Sequence, residues 1–134
     1  MQIALIIALS LHVLSSVFWA GSSFTLARTG GVGGEVLFRP QMGAAVVAIL
    51  TGAYLGHQVH EDAFGTSEKI LAAGALAALI AAGVQGLIGG RAIRSLRSGT
   101  ANEAGARSRI ATAQRIAAAL LAMTAVCMGA ARYA

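Results

Sequence analysis

Histidine is the residue of this chain whose placement most asks for chemistry. His12 lies in the stretch LHVLSSVFWAGSSFTLAR, residues 11 to 28, inside the first long apolar segment. An imidazole is costly to place in hydrocarbon, and an intramembrane ionisable side chain is a functional-site candidate by default. His12 therefore needs a partner: a hydrogen bond, a metal, or a metal-bearing cofactor. At ~1.5 Å of rise per residue it sits roughly 15 Å into its helix, near the middle of a bilayer. Ser16, Trp19 and Ser23 follow at spacings of four, three and four. They share its helical face, which points inward because it is small and polar apart from Trp19.

Other reactive side chains fall in the same half of the molecule. His57 and His60 close the second apolar segment, Lys69 opens the third, and Thr124, Cys127, Met128 and Arg132 lie in the last stretch of the fourth. Each has a plainer use. His12 can hydrogen-bond a serine, a threonine or a backbone carbonyl, and His57 and His60 can be solvated at an interface. Lys69 can snorkel to the surface. Cys127, Met123 and Met128 suit packing, while Arg132, Tyr133 and Trp19 suit interfacial anchoring.

The elements that position these groups follow from composition. The chain has 134 residues, room for one domain, with 57% apolar and 11% charged types. Its mean hydropathy is +0.74, whereas a soluble domain carries about a quarter charged residues. Apolar stretches of about twenty residues alternate with polar, Gly-rich or Arg-rich connections, and such a stretch crosses hydrocarbon as a helix. The reading is all-α, an integral membrane four-helix bundle with helices over about 3–27, 41–57, 69–90 and 110–131. The second is entered through Pro40, which suits a first helical turn. The start MQIALII lacks the positive region of a signal peptide, and its apolar stretch is too long for one, so the first helix is expected to be retained.

Charge sets the expected orientation. Arg28, Arg39, Arg91, Arg94, Arg97, Arg107 and Arg109 share one side, against Lys69, Arg132, Glu61, Asp62 and Glu68 on the other. Basic residues near span ends mark the cytoplasmic face. Both termini are therefore expected outside, in a bacterial cytoplasmic membrane. The segment GGRAIRSLRSGTANEAGARSR reads as a topology-setting loop whose arginines can meet anionic headgroups. It has no interleaved aromatics to stack bases, so nucleic acid is not an expected partner. Cys127 is the single cysteine, which leaves no intrachain disulfide and no Cys-x-x-Cys motif.

Small residues mark where helices approach. Gly74, Ala78, Ala82, Gly86 and Gly90 recur every four positions on the third helix, and Gly52 and Gly56 do so on the second. Such ridges allow close helix packing, homo-oligomers or larger membrane complexes, or room for a flat cofactor.

The first helix also carries a resemblance. HVLSSVFWAG, a histidine, six residues, a tryptophan and Ala-Gly, resembles the opening helix of CopD-like membrane proteins and of the related HemJ-type protoporphyrinogen oxidases. RIATAQRIAAALLAMTAVCMGAARY resembles the last helix of short CopD-like proteins. The resemblance implies a four-helix or larger membrane bundle and a b-type haem, with His12 as iron ligand. Lys69, in SEKIL, is at the position assigned as the partner ligand. The chain departs from the HemJ-type pattern in RIATAQR, where that family has Arg-x-x-Asn-Glu-x-Pro. It also lacks the aromatic-rich stretch after the first helix. These departures count against protoporphyrinogen oxidation and leave haem binding as the shared element.

The residues are compatible with that expectation. A buried b-haem needs an axial nitrogen or sulfur, and imidazole is a common choice. His12 is the first candidate, and the second ligand stays open between Lys69 and His57. Arg132 and Lys69, when not ligating, can pair with haem propionates.

Three functions are expected from this reading. The first is a small b-type haem protein carrying out electron transfer or oxidation near the outer face, with quinol, a reactive oxygen species, a porphyrin or a redox protein as partner. The second is a cofactor-free accessory subunit of a larger membrane complex. The third is copper handling through His12, Cys127 and Met128, since imidazole, thiolate and thioether suit Cu(I). The connection HQVHEDAFGTSE carries His and acidic residues that most simply stay solvated.

Overall fold

A computed structural model describes residues 2–59, 65–99 and 102–133. The chain is an all-α four-helix bundle. α1 is Gln2–Arg28 and α2 is Gly34–Val59. α3, Thr66–Val84, continues through a π-helical segment, Gln85–Gly89, into α4, Gly90–Ser98. α5 is Glu103–Ala131. Four helical rods, with α3, the π segment and α4 counted as one, are long and apolar enough to cross a membrane.

The turn over 29–33, Gly99 and Asn102 lie at one end of the bundle, here the arginine end. Residue 2, His57, Thr66 and residue 133 lie at the other, the histidine end.

Two boundaries differ from the sequence reading. α2 begins at Gly34, so Pro40 falls inside the helix and does not start it. The turn before it is made by Gly30, Gly31 and Gly33, all at positive φ. Gly31 is also a close approach, because a Cβ there would lie 2.6 Å from the Arg107 carbonyl oxygen. Glu35 in the first turn of α2 complements the helix dipole. It also takes a two-pronged ion pair from Arg107, whose Nη2 donates to Oε2 at 3.0 Å. These contacts carry the helix back past the proline.

The second difference is the arginine-rich segment, which is largely helical. α4 runs to Ser98, where Gly99 at φ 69° ends it, and α5 starts at Glu103, capped by the Asn102 side chain. Ala92 and Ile93 pack with Ala106 and Ile110 to form a buried cluster between the arginines. That stripe holds both helices in place.

The bundle exposes large apolar side chains and buries a small polar set within an otherwise small-residue interior. Leu14, Val17, Leu50 and Val126 are exposed, while Ser23, Gln41, Gln85 and Gln114 are buried. The interior is otherwise mostly alanine, with Trp19, Ala45, Ala48, Ala78, Ala81, Ala117 and Leu121 as its main cluster. On α3 the buried line is Gly74, Ala77, Ala78 and Ala81, continuing to Gln85 and Gly89. Of the expected ridge, Ala82 and Gly86 are only partly covered. Gly74 lets α5 come close, since a Cβ there would sit 3.0 Å from Cys127 Cβ. Thr124 Oγ1 donates to the Gly74 carbonyl at 2.9 Å across the same contact.

Around the bundle, α1 packs on α2 and α5, and α3 packs on α5, whereas α2 and α3 touch little. Where α2 and the third rod do approach, they do so toward the arginine end, with Met42 beside Gly86 and Phe38 beside Gly90. Toward the histidine end the two helices part.

Candidate functional site

The parting of α2 and α3 leaves a cavity of about 890 Å³ in the histidine half of the bundle. α1 contributes His12, Ser16, Trp19 and Ala20, and α5 contributes Leu121, Thr124, Ala125 and Met128. Much of the α2 and α3 wall is alanine and glycine: Ala48, Gly52, Ala53, Gly56, Ala72, Ala75 and Ala78. The volume lies within the range of about 300–1,000 Å³ typical of small-molecule and cofactor sites.

His12 is fixed by two contacts to α2. Its Nδ1 lies 2.9 Å from the Ala48 carbonyl and 3.2 Å from Thr51 Oγ1. The carbonyl can only accept, and the Thr51 hydroxyl donates to the Val47 carbonyl at 2.6 Å. Nδ1 must therefore carry the proton. In the neutral ring Nε2 then keeps its lone pair. No hydrogen-bond partner of Nε2 occurs among the described residues, and no buried side-chain nitrogen or oxygen there is left unpaired. Nε2 is thus accessible and unpaired, on a side chain that lines the cavity. A ring whose other nitrogen donates to a backbone carbonyl is the usual arrangement of a metal-ligating histidine. Gly52 makes the arrangement possible, since a Cβ there would lie 2.9 Å from His12 Cε1.

Trp19 closes the cavity at its inner end. The indole is 2% exposed, and its Nε1 donates to Gln85 Oε1 at 2.6 Å. Gln85 Nε2 in turn donates to Ser23 Oγ at 2.7 Å and to Gln114 Oε1 at 2.9 Å. Gln41 Nε2 reaches Gln114 Oε1 at 3.1 Å and both Ser22 and Ser23, and Gln114 Nε2 answers to Gln41 Oε1 at 3.0 Å. The network joins α1, α2, the π segment and α5, and every member is satisfied. π segments occur often at functional sites, and this one begins at Gln85. The sequence reading missed the glutamines. Their signal is a lone amide in an apolar span, which in lipid must find a partner on another helix.

The expected site residues divide between the cavity and the surface. His12 and His57 line it, as do Ser16, Trp19, Thr124 and Met128. His57 lies five residues beyond Gly52, hence about 7.5 Å further along α2 than the glycine under His12. Lys69 is exposed and outside the lining, where Glu68 stands instead. The Glu68 carboxylate also accepts the Gly65 N–H at 2.8 Å, capping α3. Arg132 is exposed beyond the end of α5, also outside the lining. Cys127 is half-buried against Gly74 and does not line the cavity, although Met128 does. His60 lies outside the described residues.

The donor set suits a cofactor that brings most of its own ligands. Among the described residues no three His, Cys, Asp or Glu side chains group to hold a bare ion. A haem needs from the protein only one or two axial ligands and apolar walls. His12 Nε2 would supply the first, alanines and glycines would supply the walls, and the cavity has the volume. The residues present fit the group. Comparison with family models, with curated proteins and with solved structures finds no match to this chain.

Proposed function

We propose that this chain is a small integral membrane haem protein carrying out electron transfer or oxidation, with both termini on the outer side. One observation carries the reading. The Ala48 carbonyl holds His12 Nδ1–H, which leaves the Nε2 lone pair unclaimed on a side chain lining a largely apolar cavity of about 890 Å³ between helices long enough to cross a membrane. His12 would hold the iron, and His57, on the same wall system, is the second candidate for it. Trp19 closes the inner end, and the buried glutamine network fills the core between the site and the arginine end. A bound b-haem would supply reversible one-electron chemistry.

The test is an absorption spectrum of detergent-purified protein, oxidised and dithionite-reduced, beside His12→Ala. A Soret band with a sharp reduced α-band in the wild type, lost in the variant, supports the proposal. Colourless protein that stays colourless after haem is supplied overturns it. Metal analysis of that protein then separates copper handling from a cofactor-free role.

A second reading, an accessory subunit in a larger assembly, is favoured by one feature. Gly21, Gly43 and Gly83 are exposed on the outer faces of α1, α2 and α3, with open space where a Cβ would stand. Such positions let another membrane helix approach closely.

A further inference from the structure

We propose that the cavity is loaded sideways, from the bilayer, through a slot between α2 and α3, by an apolar molecule dissolved in the hydrocarbon. The proposal rests on the membrane reading above and not on the identity of the iron ligand.

The slot follows from how the helices diverge. α2 and the third rod approach at Phe38–Gly90 and Met42–Gly86, toward the arginine end. Beyond the shared cluster of Ala48 and Ala78 both helices line the cavity, and they make little contact with each other. The other seams are closed, since α1 packs on α2 and α5, and α3 on α5. Ala53 on α2 and Ala72 and Ala75 on α3 line the cavity and are exposed, so small side chains stand on both sides of the gap.

In a bilayer this gap faces acyl chains. Water needs two to four polar partners to be held in a cavity, and the slot walls offer alanine and leucine. The polar groups of the lining lie deeper, at His12, Ser16 and Thr124, or at the mouth, at His57 and Glu68. In the haem-free protein the occupant that matches is apolar along its length, with one group to meet the His12 Nε2 lone pair. When no such ligand is present, an acyl chain of the adjacent leaflet fills the space.

Trp19 gives the readout, being the single tryptophan of the chain and a wall of the cavity. Haem-free protein is reconstituted into phosphatidylcholine vesicles with brominated or unbrominated chains, and Trp19 emission is compared. Bromine quenches indole at short range, so the expected result is quenching in the wild type. That quenching is expected to be lost in Ala53→Phe and, separately, in Ala75→Phe, which narrow the slot from either side. Ala119→Phe, on an exposed face of α5 outside the lining, should quench like the wild type. An unquenched wild type, or quenching indifferent to both slot variants, overturns the proposal. Flotation of the same vesicles reports insertion. Protein that does not float ends the membrane reading and the slot together. Haem absorbance on a parallel sample is scored separately. Colourless protein with slot-dependent quenching keeps the entrance and loses the haem, and coloured protein without it does the reverse.

Discussion

Trp19 Nε1 donates to Gln85 Oε1 at 2.6 Å, joining residues that stand 66 positions apart in the chain. The contact couples two parts of the molecule with different tasks. On one side of the indole is the cavity that His12 lines, and on the other is a buried amide network. Gln85 is fully buried, so its side chain has no water to fall back on. The network thus fixes the inner wall of the cavity and also ties all four membrane-length helices.

Replacing Gln85 with leucine should expose this coupling. The change strands the Trp19 N–H, whereas Ser23 Oγ and Gln114 Oε1 each lose one of two donors and keep Gln41 Nε2. Leaving buried polar groups unpaired costs about 1–3 kcal/mol each. Unfolding in SDS, followed by the emission of Trp19, should show a loss on the order of 1–3 kcal/mol, the cost of the one donor left unpaired. An unchanged midpoint would show that the amides gain little from one another.

Gly52 and Gly56 make a matched pair for the role of His12. A Cβ at Gly52 would meet His12 Cε1 at 2.9 Å, whereas nothing lies within 4 Å of one at Gly56. Gly52→Ala should push the ring off the Ala48 carbonyl and weaken haem binding, with an overpacking cost of about 1–3 kcal/mol. Gly56→Ala should be neutral or slightly stabilising, by roughly 0.4–1 kcal/mol, through the unfolded chain. Haem titration and thermal unfolding of the two variants check both halves, and equal behaviour would remove Gly52 from the site.

How far the sequence spoke for itself can be judged from these residues. The four long helices were legible because apolar length is a cumulative signal, and the inward face of His12 was legible from its cost in hydrocarbon. The start of α2 was not, because Pro40 reads as a helix start unless the glycine turn and the Arg107–Glu35 pair before it are known. The helical course of 91–98 was masked by its arginines, although Ala92 and Ile93 hold the packing face. The glutamines vanish in any average over an apolar span. The distinction between Lys69 and Glu68 is finer still: one residue turns a helix by about 100°, enough to exchange cavity for surface.

At the arginine end, backbone should matter more than charge. Arg107 and Glu35 are both partly solvent-exposed, with side chains 21% and 32% accessible. Pairs of this kind contribute about 0–1 kcal/mol and weaken with salt. Glu35→Gln should therefore cost little. Gly31→Ala should cost more, because φ is +86° and the new Cβ would meet the Arg107 carbonyl oxygen at 2.6 Å. The left-handed conformation alone costs a non-glycine residue about 1–2 kcal/mol. Thermal unfolding at low and high salt separates them: only the Glu35 variant should change its salt dependence.

The ligand assignments lead to a graded series of absorption spectra. His12→Ala should abolish the Soret band, since Nε2 of His12 is the unpaired nitrogen on a side chain lining the cavity. Lys69→Ala and Arg132→Ala should leave both band and affinity intact, because both side chains are exposed and outside the lining. His57→Ala tests the second axial position. If His57 ligates, its loss should turn a six-coordinate spectrum into a five-coordinate, high-spin one with the haem retained, and added imidazole should restore the first. Loss of colour in Lys69→Ala with His57→Ala unchanged would reverse the assignment. It would require α3 to rotate so that Lys69 replaces Glu68 at the cavity wall.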